Sequence, residues 1–325
     1  MNTPNLFSIA TSELSQDAFL AWLIQWANPG LASSFPDLHE AGKAFVIDLL
    51  SPHLTPSEKI NKVEVRRQWE KIDVCAEVNN SYFIIIEDKV TTGEHSNQLD
   101  AYRKIAAKYC EEKHLQLVCV YLKTGSECLA ISRRLEGRKW KTYYRYQFLK
   151  LLESNLTQNN IYNAFKENLR RIEKSEAEFT SKSFELWNSS DWIGFYRKLD
   201  DEGILKSWFF VNNSKGGFWN AIIRDEKYLH ENHPVYLQIE QGLLCFKIGD
   251  VNENRISKRN GLHRLLVSFG SEDLPIFRPS RFGNGSSMTA ASIPQSIWIQ
   301  HSGGIVDIQA TIQRIKNYLK LLNKI

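Results

Sequence analysis

The sequence predicts an α/β fold with a mixed central sheet flanked by helices, followed by an α+β region. Three observations predict it. Apolar residues recur at helical spacing in two early segments. The period then changes to two from Lys62 onward. After residue 181, short strands follow one another before any further helical pattern, which marks a separate layer arrangement.

The elements can be justified in order. Residues 15–27, "SQDAFLAWLIQWA", carry Phe19, Leu20, Leu23, Ile24 and Trp26 at helical spacing, with Ser15 as the candidate N-cap. A Gly/Pro/Ser-rich loop separates them from "LHEAGKAFVIDLLSPHL", a second helix that Pro52 should stop. In "KIDVCAEV", Ile72, Val74, Ala76 and Val78 face one way, and Asp73, Cys75 and Glu77 the other. Asn79-Asn80-Ser81 is a turn, so "YFIIIEDKV" should return as a hairpin partner, with an apolar run dense enough for burial on both faces. "HSNQLDAYRKIAAKYC" reads as helix, "LQLVCVYL" and "WKTYYRY" as strands, and "QFLKLLESNL" and "NIYNAFKENLRRIEKSEAEF" as helices.

A composition shift near Lys182 sets the expected boundary: residues 1–180 form one domain and 181–325 an α+β accessory domain. The second holds strands "SWFFV", "GFWNAII", "VYLQIE" and "LLCFKI", the last two joined at Gln241-Gly242. A helix near Ser257–Ser268, an irregular stretch over residues 271–295 and a closing helix, "DIQATIQRIKNYLKLLNK", complete it.

Charge excludes some functions. The net charge of +4 is too mild to announce a nucleic-acid binder. Residues 1–180 balance 23 basic against 23 acidic groups, so the excess lies in the second half, 18 against 14. No apolar run is long enough to span a bilayer, and no basic-then-apolar leader opens the chain. Five scattered Cys without a C-x-x-C pair fit a reducing cytoplasm. No H-E-x-x-H or Gly-rich phosphate loop occurs, so zinc hydrolysis and ATP turnover are unsupported.

The chemistry concentrates where the apolar run Phe83-Ile84-Ile85-Ile86 meets Glu87-Asp88-Lys89. Alternation puts Glu87 and Lys89 on one face and Asp88 on the other. The hairpin partner offers Asp73 beside Glu87. Two converging carboxylates repel unless a cation lies between them, and oxygen-only donors suit Mg²⁺ or Mn²⁺. Lys89 on the same face would serve a metal-bound water or stabilise charge building on a phosphate. Gln98 and Tyr102 follow at i,i+4 on the next helix.

This constellation resembles the PD-(D/E)xK nuclease superfamily, in particular the bacterial branch with Ile-Glu-x-Lys and Gln-Leu-x-x-Tyr motifs. Here these read "IIIEDKV" and "QLDAY", and "ELSQDAFLAWLI" matches the branch's N-terminal pattern. Ile72 stands where the motif's proline would be. The resemblance spans about residues 10–150 and implies a restriction-endonuclease-like sheet and a Mg²⁺-dependent phosphodiester hydrolase. Asp73 and Glu87 would bind metal, the Asp88 carbonyl would add a ligand, and Lys89 would serve the attacking water. Glu13 would hold a second metal or a metal-bound water; as a first-turn acid it also suits the helix dipole. Gln98 would orient the lysine, water or phosphate, and Tyr102 would pack beneath the site or touch the backbone of DNA. The superfamily does not rely on a histidine, so His95 reads as surface. DNA is the expected substrate, with RNA cleavage by the same site, or a silent binding module, as alternatives. Relatives suggest defence against foreign DNA and leave a homodimer, or a partner held by the second domain, open.

Two basic segments could track a nucleic-acid backbone. The first contains Arg138, Lys139 and Lys141 among aromatics, and the bland reading makes it a loop before a partly buried strand. The second contains Arg278 and Arg281 in "RPSRFGNGSS".

Overall fold

The computed structural model describes residues 4–51, 53–55, 58–93, 97–213, 216–223 and 228–325; Pro52 and His95 lie outside them. The chain divides into two compact units. One comprises residues 1–127 and 131–174, the other 128–130 and 175–325.

The first unit is built on a five-stranded sheet in the order β1-β2-β3-β4-β5. Helices α1 (Glu13–Gln25) and α2 (Pro36–Leu50) precede the strands β1 (Val63–Trp69), β2 (Ile72–Val78) and β3 (Tyr82–Lys89). Then follow α3 (Gln98–Lys113), β4 (Gln116–Lys123), α4 (Leu129–Gly137), β5 (Lys141–Tyr144), α5 (Arg145–Ser154) and α6 (Asn160–Ala177). The first three strands form an antiparallel meander, and β4 and β5 add in parallel, so the sheet is mixed as expected. The turns explain the meander. Asn79 and Asn80 both take positive φ, 57° and 49°, the conformation that matches a two-residue hairpin turn to strand twist.

Both faces of the sheet are covered, which accounts for the burial of all eight β3 residues. Ile84 and Ile86 pack with Phe19, Leu20, Phe45 and Phe148 from α1, α2 and α5. Phe83 and Ile85 pack with Leu99, Tyr102 and Ala106 from α3. Ile72 departs from the expected alternation. It joins the α3-side cluster beside Trp69, where Glu70 and Lys71 turn the chain at positive φ.

Two boundaries differ from expectation. Helix α1 begins at Glu13 with Ser12 at the N-cap, and Ser15 instead meets Ser12 across 2.9 Å, Oγ to Oγ. The basic segment before Trp140 is largely helical, as α4, rather than a loop. Trp140 and Tyr143 are core residues.

The second unit contains α7 (Ser189–Asp201), β6 (Leu205–Val211), β7 (Phe218–Ile223), β8 (Tyr228–His230), β9 (His233–Glu240) and β10 (Leu243–Ile248). It continues with α8 (Arg255–Phe269), β11 (Met288–Ile293), α9 (Gln295–Trp298), a small ribbon of β12 (His301–Ser302) and β13 (Ile305–Val306), and α10 (Ile308–Leu321). Its main sheet is antiparallel, in the order β11-β10-β9-β7-β6 with β8 pairing β9. Gln241 and Gly242 make the expected β9–β10 hairpin turn at φ 52° and 78°. The stretch over 271–295 is not wholly irregular: β11 pairs with β10 along its length.

Candidate active site

The site grows from the hairpin register. Val74 pairs with Ile86, and one further step sets Asp73 opposite Glu87 on the α3 side of the sheet. Glu87 is 1% exposed. Its Oε1 lies 2.5 Å from the Lys89 ammonium, while Oε2 is buried with no hydrogen-bond partner among the described residues. Burial, and then the neighbouring Asp73 carboxylate, push the Glu87 pKa up to about 7. Asp73 is itself oriented: its Oδ2 accepts from the Asp88 backbone N–H at 2.9 Å.

Lys89 is buried with three oxygens around its ammonium. Besides Glu87 it donates to the Asp88 carbonyl at 3.1 Å and lies 3.7 Å from Glu13 Oε2. Burial works against its charge, but the bond to Glu87 and the acids nearby outweigh that and raise its pKa. Glu13 reaches the site from the first turn of α1. Its Oε1 accepts from the Thr92 hydroxyl at 2.6 Å, which holds the carboxylate over the strand end. Gln98 donates to the Tyr102 hydroxyl at 2.8 Å. Tyr102 is nearly buried; burial raises its pKa, the Gln98 bond opposes the rise, and the Glu87 and Asp73 charges add to it.

Asp88 points the other way, toward α1, and is fully buried. Gln16, one turn after Glu13, donates to its Oδ1 at 2.5 Å and more weakly to the Lys89 carbonyl at 3.4 Å. The same amide's oxygen accepts from Thr124 Oγ1 at 2.6 Å. Asp17 is also buried here; burial, then Asp73, raise its pKa to about 6. The segment after β4 closes over this network because Gly125 has no Cβ; one would sit 2.0 Å from the Val90 carbonyl oxygen. Gln16 and Asp17 are site residues that pattern reading missed. Their signal was position: polar groups at i+3 and i+4 from Glu13 share its helix face, the face that carries Phe19 and Leu20 into the core.

The donors present fit a hard divalent cation. A buried carboxylate oxygen without a donor is what such an ion would take, and Lys89 shows that a positive charge already sits against Glu87 Oε1 and the Asp88 carbonyl. No group of three or more His, Cys, Asp or Glu side chains arranged to hold a metal occurs among the described residues. The oxygens that this strand end offers are those of the two carboxylates and the Asp88 peptide.

A family model of the PD-(D/E)XK nuclease superfamily matches residues 4–184. The chain belongs to this superfamily. Its members are nucleases that typically use divalent metal ions, and the mixed sheet with flanking helices is consistent with their fold. No curated protein and no solved structure matches the chain. Among the described residues no helix is long and apolar enough to cross a membrane.

The basic residues nominated for nucleic acid are scattered in role. Lys141 is taken up by the C-terminal end of α2, donating to the Asp48 carbonyl and to Ser51 O at 2.9 Å. It is a helix-capping lysine. Arg138 pairs with Asp100 at 3.0 Å, in the first turn of α3. Lys139 is exposed at φ 62° in the turn before β5. In the second unit Arg278 and Arg281 are exposed, and the Arg278 guanidinium lies 4.8 Å from the centre of the Phe282 ring. Arg259 meets the same ring at 4.3 Å.

Proposed function

We propose that this superfamily member is a divalent-metal-dependent nuclease that hydrolyses phosphodiester bonds in DNA. The observation that carries the reading is the buried Glu87 carboxylate, with one oxygen on Lys89 and the other unpartnered, beside Asp73. Asp73, Glu87 and the Asp88 carbonyl would hold the ion, Mg²⁺ or Mn²⁺. When bound, such an ion supplies Lewis-acid polarisation of the phosphate and a more acidic water.

The chain's own residues do the rest. Lys89 keeps its charge, so its role is electrostatic: it stabilises negative charge on the phosphoryl oxygens as water attacks. Water oxygen bonds to phosphorus while the bond to the leaving sugar oxygen breaks, and the water proton passes to solvent. Glu13, fixed by Thr92, steers the lysine. Gln98 and Tyr102, tied to each other, form the α3-side wall against which the scissile phosphate is positioned. Gln16 fixes the Asp88 side chain and the Lys89 carbonyl from the opposite face. We infer action on foreign DNA in the cytoplasm from family resemblance alone.

The test is digestion of plasmid, linear duplex, single-stranded DNA and RNA with Mg²⁺, Mn²⁺ or EDTA. DNA cutting that needs metal supports the reading. Cutting of RNA alone transfers the same site to RNA, and no cutting of any substrate with metal contradicts the proposal.

A further inference from the structure

The second unit holds a cavity of about 250 Å³ whose walls are aromatic. Trp187, Trp192, Tyr196, Phe210, Phe218 and Trp219 line it. These rings come from three places: the segment before α7, the first turns of α7, and the facing strands β6 and β7. They hold one another edge-on. Trp187 and Trp192 lie 5.1 Å apart at 86°, and Phe210 and Trp219 lie 5.3 Å apart at 66°. Edge-on packing leaves ring faces open to a further flat group. The cavity stays open because Gly242 forms part of its wall. A Cβ there would meet Gln295 Oε1 at 3.0 Å and the Trp192 ring at 3.5 Å.

The polar groups at its rim are neutral and partly unspent. Trp219 Nε1 donates to Ser189 Oγ at 2.7 Å, which leaves the serine's own proton free to donate. Asn188 uses its oxygen to cap α7, while its amide N–H₂ makes no hydrogen bond among the described residues. The exposed Gln241 amide likewise makes none. Among the described residues no charged side chain lines the cavity. The chemistry thus asks for a flat, uncharged aromatic face with a hydrogen-bonding edge.

We propose that this pocket binds an unstacked nucleobase of single-stranded nucleic acid. The proposal rests on the nuclease reading for the presence of nucleic acid, and on the pocket itself for the base. Stacking between tryptophan faces recognises any base and is the usual means of holding single strands. The free Gln241, Asn188 and Ser189 groups read the edge that pairing would otherwise occupy. A cavity of this size takes one base and excludes a base pair, so paired duplex is not a ligand for it.

The experiment titrates wild-type protein in EDTA, where cutting is blocked, with 20-nucleotide oligo-dT, oligo-dA and a blunt duplex of equal length. Tryptophan fluorescence and anisotropy are read. Both single strands should bind with quenching and the duplex should not quench. Trp219→Ala should weaken single-strand binding about 5- to 100-fold, and Trp219→Phe, which keeps a ring, should recover most of it. Gln241→Ala, at an exposed turn where unfolding is not a concern, should weaken it about 3- to 10-fold. Equal single-strand affinity in Trp219→Ala, Gln241→Ala and wild type overturns the proposal. So does quenching by an aromatic or proline-rich peptide with none by oligonucleotide, which assigns the pocket to a protein partner. Metal-dependent DNA cutting that coexists with either result leaves the nuclease reading standing. Pocket-dependent oligonucleotide binding without any cutting does the reverse.

Discussion

The end of β3 has two faces, and the same kind of residue meets opposite fates on them. On the α3 side, Asp73 and Glu87 converge next to a lysine, and one Glu87 oxygen has no donor. On the α1 side, Asp17 and Asp88 are equally buried and each also keeps one oxygen without a hydrogen-bond partner, but among the described residues no ion pair reaches them: Gln68 and Gln16 donate to them, Thr124 holds Gln16, and the exposed Arg67 is the basic side chain that acts on Asp17. Burial raises the pKa of Glu87 on one face and of both Asp17 and Asp88 on the other. The difference lies in the cation. A buried carboxylate held against an ammonium keeps a charged group in the interior; a buried carboxyl pair held by amides fixes a backbone. Asp88 serves the first face by its carbonyl and the second by its side chain.

Several substitutions would break or sharpen this contrast. The largest effect belongs to Lys89→Ala. Cleavage should fall at least about 100- to 1,000-fold while the circular dichroism spectrum is unchanged, since one electrostatic contact to the transition state is lost. Retained cutting would remove Lys89 from the mechanism. Gln16→Ala should cost about 2–3 kcal/mol in urea unfolding, because it strands Asp88 Oδ1 and the Thr124 hydroxyl in the interior. A cost near zero would mean that the α1-side network does not hold the strand end. Lys141→Ala should lose about 1–2 kcal/mol, the scale of charged hydrogen bonds to helix-end carbonyls, and leave DNA affinity unchanged. A drop in DNA affinity with stability intact would restore it as a backbone contact. The smallest change is Asp17→Asn. An amide can donate to the facing Asp88 where a carboxylate repels it, so melting at pH 8 should rise by about 2–4 °C. A fall of similar size would mean that the charge of Asp17 is needed.

The α3-side face was legible as a candidate site because its signal is local. Period-two alternation, an Asn-Asn turn and Glu-x-Lys at the end of an apolar run fix register and face within twenty residues. The supporting face was not, because Gln16 and Asp17 look like ordinary polar positions on an amphipathic helix until Asp88 is known to point at them. Distance in sequence hid other parts too. Strand β11, "MTAASI", has small residues and follows a Gly/Ser-rich run; only pairing with β10 makes it a strand. Helix α7 had a readable pattern, Trp192, Phe195, Tyr196 and Leu199, and a capping box from Asn188 to Asp191, yet it lay between a long helical segment and a run of stronger strand signals. Lys141 reads as surface in a basic run, and its capping of α2 joins positions ninety or more residues apart.

The central claim is that the α3-side face, and not the α1-side face, takes the divalent ion. Calorimetric titration of Mn²⁺ into wild type, Glu87→Gln and Asp88→Asn separates the two. The account predicts that wild type and Asp88→Asn bind Mn²⁺ with similar affinity, because only the Asp88 carbonyl is used, and that Glu87→Gln does not bind. Undiminished binding in Glu87→Gln, with loss in Asp88→Asn, would contradict it.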